Sequence, residues 1–149
     1  MAIEDDIAFL ERVPTLSVLG KQALRVLAIG AETRQLHSGA VLFYAGELAD
    51  GGYIVQSGSV TVEPTSGKDY TVGPGTLLGE LALLTETVSP VTAIARESTV
   101  LIRIPRTLFR KMLEGYPAAA QHMRDILAER VDQWTRELSA VKNALGPKA

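Results

Sequence analysis

The feature that most constrains this chain is a series of short apolar segments cut by glycines between Thr33 and Ile104. Val41-Leu42-Phe43-Tyr44, Tyr53-Ile54-Val55, Val60-Thr61-Val62, Tyr70-Thr71-Val72 and Val100-Leu101-Ile102 are rich in β-branched and aromatic residues, and all are too short for core helices. Gly39, Gly46, Gly51-Gly52, Gly58, Gly67 and Gly73-Pro74-Gly75 punctuate them. Short strands with glycine turns predict an antiparallel barrel or double-sheet roll. Ser57-Gly58-Ser59, between two alternating runs, reads as a tight hairpin.

Helical text frames this region. Ile7, Leu10 and Glu11 precede Val13-Pro14, where the proline ends a first helix or opens a turn. Leu16, Leu19, Leu24, Leu27 and Ala28 then recur at helical spacing, with Ser17 placed to cap a turn and Gly30 to stop the helix. After Pro105 the text is helical again, broken at Gly115-Tyr116-Pro117. The expected architecture is mainly β with flanking helices: N-terminal helices over 1–32, an antiparallel double-sheet β-roll or jelly-roll barrel over 33–104, and helices over 105–145 ending in one long helix. All of it reads as a single domain over 1–149.

Composition narrows the function. There are no cysteines, so disulfides, thiolate metal sites and a cysteine nucleophile are excluded. A net charge of −2 gives no global attraction for nucleic acid or an anionic membrane. No apolar run approaches the roughly 20 residues of a membrane span. Glu4, Asp5 and Asp6 stand where a signal peptide carries positive charge, and the expectation is a cytoplasmic protein. His37 and His122 lack a spaced partner, so no metal site is expected. No nucleophile elbow, paired-histidine helix or phosphate loop ending in lysine is present, so no catalytic residues are assigned and an enzyme is not expected.

Gly79 through Thr85 interrupts the strand text as one or two helical turns, and the strand pattern resumes at Val91-Thr92-Ala93-Ile94. The amides of residues 80 to 83 at such a helix start favour an anion. Gly79 permits close backbone approach. Glu80 can accept hydrogen bonds from a ribose hydroxyl, or serve as an N-terminal acid that orients the turn. Ser89 and Thr92 are either phosphate donors or ordinary turn and strand residues.

Gly79-Glu80-Leu81-Ala82-Leu83-Leu84, followed by Pro90-Val91-Thr92-Ala93, resembles the phosphate-binding cassette of cyclic-nucleotide-binding domains, the sensor family of the catabolite activator protein type. Phe9 to Pro14 with Leu16 and Leu19 resembles the opening helices of that family, and Ala45-Gly46-Glu47, Tyr53-Ile54-Val55 and Ser57-Gly58 resemble its barrel glycines. The resemblance runs from about Phe9 to about Leu138. It implies a non-enzymatic sensor with cyclic AMP or cyclic GMP as the ligand and no other cofactor. The ligand-binding set would be Gly79, Glu80, Leu81, Ala82, Ser89, Pro90, Val91 and Thr92. The family also carries an arginine in the cassette, and that place falls here on Pro90, between Ser89 and Val91. A charge-assisted hydrogen bond is worth roughly 1.5–3 kcal/mol, so its loss weakens a cyclic nucleotide by on the order of 10- to 1,000-fold. Arg96, Lys68 and Arg34 are the other cations considered. An alternative reading is a degenerate module that binds another ligand or none and acts as a dimerisation or adaptor protein.

Leu127, Val131, Trp134, Leu138, Val141 and Leu145 are spaced 4, 3, 4, 3, 4, a heptad stripe. It reads either as the seam of a homodimer anchored by Trp134 or as one helix folded back on its own barrel. In the resembled family this helix reaches the nucleotide base, which places a lid at Met123 to Leu127. A DNA-binding member would continue into a helix-turn-helix. The text stops at Gly146-Pro147-Lys148-Ala149, so nucleic acid is not an expected partner, and a protein partner is left unnamed.

Overall fold

The computed structural model describes residues 3–129. Helix α1 (Ile3–Leu10) places Glu4, Asp5 and Asp6 in its first turn, where the helix dipole favours acids, and buries Ile7 and Leu10. The segment before α2 is a compact turn rather than a helix. Val13, Leu16 and Leu19 are buried, and the Ser17 hydroxyl donates to the Pro14 carbonyl at 2.8 Å. Helix α2 (Lys21–Gly30) buries Ala23, Leu24 and Leu27 and ends at Gly30.

Ten strands follow: β1 (Glu32–Leu36), β2 (Val41–Phe43), β3 (Leu48–Ala49), β4 (Gly51–Ser57), β5 (Val60–Pro64), β6 (Tyr70–Val72), β7 (Leu77–Leu78), β8 (Thr87–Val88), β9 (Val91–Ala95) and β10 (Thr99–Pro105). A short 3₁₀ turn, Leu81–Leu83, lies between β7 and β8, and α3 (Arg106–Gly115) follows β10. Residues 117–129 are helical.

The strands form a first four-stranded sheet ordered β1-β10-β4-β7, a second ordered β2-β9-β5-β6, and a two-stranded pair β3-β8. The barrel expectation is therefore corrected: the topology is jelly-roll-like, but no sheet closes among the described residues. Closure needs one unbroken ladder around the axis. Here the edges are strands of two to five residues, and the register breaks at Val41/Phe43 and Val100/Leu101. Ser57-Gly58-Ser59 also differs from expectation. β4 pairs with β10 and β7, whereas β5 pairs with β6 and β9, so this turn is a corner between sheets and not a hairpin. Gly58 sits at φ +88°, and a Cβ there would lie 2.6 Å from the Ser98 carbonyl oxygen. The Thr99 hydroxyl holds the corner, accepting from the Ser59 amide at 3.2 Å and lying 3.0 Å from the Ser59 carbonyl.

Alternation along β4 and β10 sends neighbouring residues to opposite faces. Ile54, Ile102 and Ile104 join a cluster with Leu10, Leu16, Leu24, Phe109 and Met112 on the helical side. Val55, Leu78 and Leu101 meet Val60, Val62 and Ala93 between the two sheets. The first sheet is thus a middle layer, with helices on one face and the second sheet on the other.

Candidate functional site

The cassette begins where β7 ends. Gly79 has φ +78°, and a Cβ there would lie 3.0 Å from the Gly51 carbonyl oxygen, so glycine suits both the backbone and the space. The turn closes through amide bonds from Ala82 to Gly79 O, Leu83 to Glu80 O and Leu84 to Leu81 O, at 3.0 to 3.2 Å. Of the four amides expected to face an anion, those of Ala82 and Leu83 are thereby already used. Ala82 and Leu83 are buried, with Leu83 against Gly52, while Leu81 points outward.

Glu80 does not cap the turn with its side chain. Its Oε2 accepts from the Thr15 hydroxyl at 2.6 Å, tying the cassette to the segment before α2. The turn's carbonyl end is held from α3: Arg106 Nε donates to Ala82 O at 3.3 Å and its Nη2 to Ala49 O at 2.8 Å, while Arg110 Nη2 lies 3.5 Å from Leu84 O. Sequence reasoning missed Thr15, Arg106 and Arg110. The one local signal was two arginines a helical turn apart after Pro105, and nothing in it points to the cassette.

The second half of the expected site lies against the β2–β3 turn. The Ser89 amide donates to Glu47 O at 2.9 Å, and Ser89 O accepts from the Gly46 amide at 2.8 Å. The Ser89 hydroxyl donates to Val91 O at 2.7 Å, and Thr92 Oγ1 accepts from the Ala45 amide at 2.8 Å. Pro90 is exposed, and Val91 turns toward the inter-sheet cluster. Of the two hydroxyls expected as phosphate donors, that of Ser89 spends its proton within the fold, whereas Thr92 Oγ1 only accepts and keeps its O–H proton. Arg34, Lys68 and Arg96 are exposed, and no ion pair involves them among the described residues.

The half-buried rim between the sheets is apolar. Leu36, Leu42, Phe43, Tyr53, Val72 and Val91 pack around the inter-sheet cluster, and the Phe43 and Tyr53 rings lie 5.8 Å apart, within aromatic contact range. Arg103, beside Tyr53 in the register, donates to Glu32 and Asp50 at 2.8 Å each. Burial disfavours its charge, yet the hydrogen bonds to Asp50, Glu32 and Tyr53 hold its pKa above the ordinary arginine value. Two clefts of about 240 and 300 Å³ open elsewhere, on the helical side, one beside Asp6, Glu32 and Gln56 and one beside Glu4, Glu11 and Lys21.

Met123 does not reach the inter-sheet space. It is 2% exposed, in the helical-side cluster, with Leu127 packed against the same cluster. His122 Nδ1 lies 3.0 Å from Val18 O. Val131, Trp134, Leu138 and Val141 lie outside the described residues. Among the described residues no group of histidines and carboxylates could hold a metal ion, and no helix is long and apolar enough to cross a membrane.

Two facing antiparallel sheets, a helical layer and a short helical turn between strands make up a jelly-roll-like sensor-type architecture. The chain belongs to the cyclic nucleotide-binding domain family: the family model described as Cyclic nucleotide-binding domain matches residues 33–116. The Cyclic AMP receptor protein of Thermus thermophilus is 33% identical over 118 residues, which cover 75% of this chain and 55% of that protein. Lysophospholipase nte1 of Aspergillus terreus is 30% identical over 130 residues, 84% of this chain but 8% of that protein. Among solved structures, a cyclic nucleotide-binding-like protein from Brucella abortus is 38% identical with a TM-score of 0.66, covering 74% of this chain and 98% of the other. The chain is a non-enzymatic sensor or regulatory module of this family.

Proposed function

We propose that this chain works as one ligand-responsive unit over 1–149, in which an occupant beside the cassette is read by the helices after β10. The observation that carries this reading is the grip of α3 on the cassette. Arg106 and Arg110 bond the carbonyls of Ala82 and Leu84, so a shift of the 79–84 turn acts on the helical layer through hydrogen bonds and not through a flexible linker. A ligand drives such a shift only as far as it prefers one position of the turn.

Cyclic AMP or cyclic GMP is the ligand class that the cassette supports, with Gly79, Glu80, Leu81 and Ala82 on one side and Ser89, Pro90, Val91 and Thr92 on the other. The name of the Thermus relative favours the same class. The output would be movement of the 105–145 helices and of a homodimer seam at Leu127, Val131, Trp134, Leu138 and Val141, presented to a protein partner. Pro90 brings no charge, so the nucleotide binds weakly, with a dissociation constant of about 10 µM to 1 mM.

A second reading is favoured by the internal bond that the Ser89 hydroxyl donates to Val91 O: the roll takes no cyclic nucleotide and the chain serves as a dimerising adaptor. Calorimetry with both nucleotides, against a Glu80→Ala control, separates the two. Binding in that range, lost in the control, supports the sensor. No heat at millimolar nucleotide supports the adaptor, which sedimentation as a monomer at tens of micromolar would in turn count against.

A further inference from the structure

Thr15 is a polar residue in an apolar place. It stands between Val13 and Leu16, both fully buried, and is itself 4% exposed. A buried hydroxyl without a partner is costly. Two hydroxyls share this segment, and they are satisfied differently. The exposed Ser17 bonds locally to Pro14 O. The buried Thr15 reaches 65 residues along the chain to Glu80 Oε2 at 2.6 Å, the short range of an O–H···O⁻ bond.

Glu80 is also the acceptor that a ribose hydroxyl would use, so one carboxylate has two claimants. Resting on the reading of the cassette as the ligand site, we infer that Thr15 is an internal stand-in for the ligand's hydroxyl. In the unoccupied protein its Oγ–H holds the Glu80 carboxylate. A ribose-bearing ligand takes that carboxylate by displacing it. The exchange replaces one charge-assisted hydrogen bond with another of the same kind, so the ligand gains little from this contact and its affinity is held down. The exchange also removes this hydrogen bond between the 13–19 segment and the cassette, while Val13, Leu16 and Leu19 stay in the core and Val18 O stays beside His122 Nδ1. Linkage makes the effect reciprocal: whatever draws Thr15 away from Glu80 strengthens ligand binding by the same factor. Ligand occupancy is thereby reported to the N-terminal helices as well as to α3.

The test titrates cyclic AMP and 2′-deoxy cyclic AMP into wild type, Thr15→Val and Thr15→Ser, with hydrogen exchange on the unliganded proteins. Valine keeps the shape and removes the hydroxyl, and Thr15→Ala is the second variant should valine disturb the turn. Thr15→Val is expected to bind cyclic AMP about 10-fold tighter than wild type. Thr15→Ser should match wild type, and the deoxy ligand should show no gain. Without ligand, Thr15→Val should exchange faster at the amides of residues 82–85. Equal affinity of wild type and Thr15→Val for cyclic AMP overturns the stand-in while leaving the ligand site intact. A gain of equal size for the deoxy ligand overturns it too, because the ribose hydroxyl would then play no part. Absence of binding to every variant at millimolar nucleotide overturns both the stand-in and the ligand reading beneath it.

Discussion

On the helical face of the β1-β10-β4-β7 sheet, Phe109, Leu10, Leu16, Leu24, Leu27, Met112 and Met123 are each 2% exposed or less. On the opposite face the buried set is Val55, Val60, Val62, Leu78, Ala93 and Leu101, mostly smaller residues, ringed by side chains that stay half-exposed. One sheet therefore separates a filled core from a thinner one with an open rim. The helical side carries most of the apolar burial, and the two clefts of about 240 and 300 Å³ open at its margins. The cassette crosses this division. Leu83 is buried on the filled side, whereas Val91 turns to the inter-sheet side.

Removing the anchor of the filled side should cost most. Phe109→Ala is expected to lower unfolding free energy by about 3–5 kcal/mol in urea denaturation; a loss below about 1.5 kcal/mol would break the contrast, since that is nearer the cost of a valine truncation. Val62→Ala, between the sheets, should cost about 1.5–2.5 kcal/mol and should change any nucleotide affinity more than Phe109→Ala does. The opposite order in calorimetry would place the occupant on the helical side. Arg106→Lys should have the smallest effect on stability, about 1 kcal/mol, because an ammonium can meet one of the two carbonyls but not both in fork geometry. Its signature is faster exchange of the cassette amides with the α3 amides unchanged. Arg103 offers no pH handle on any of this. Its raised pKa keeps its contribution fully present below the ordinary arginine value, with loss only above its still higher folded value.

The parts of this comparison that were legible in the sequence are those written in local chemistry. Val60-Thr61-Val62 and Val100-Leu101-Ile102 announce strands by β-branching, and Gly30 marks a helix end. β1, reading Glu-Thr-Arg-Gln-Leu, has no such signal and is a strand because β10 supplies its ladder. The Ser57-Gly58-Ser59 corner was misread as a hairpin because a tight turn looks the same whether its flanks pair with each other or diverge into separate sheets. Barrel closure was illegible for a related reason: it depends on how the edge strands meet, which no local pattern encodes. The cassette's backbone could be placed from Gly79 and the strand that follows, but the bonds made by Glu80, Ser89 and Thr92 could not. The partners of Glu80 and Thr92, Thr15 and Ala45, lie 65 and 47 residues away and are chosen by tertiary approach, whereas Ser89 turns onto Val91 two residues on.

The pairing of β1 with β10 also has a consequence during synthesis. Glu32 and Arg103 are 71 residues apart yet are register partners. At roughly 5–20 residues per second of translation, β1 waits on the order of several seconds for the strand that completes it. A strand left so long with an open backbone edge invites pairing with another nascent chain. Its composition answers that hazard: Glu32, Thr33, Arg34 and Gln35 are exposed in the finished fold, and a polar, charged tetrad is a poor template for aggregation. The residues that made β1 hard to recognise as a strand are the ones that keep it single until β10 arrives.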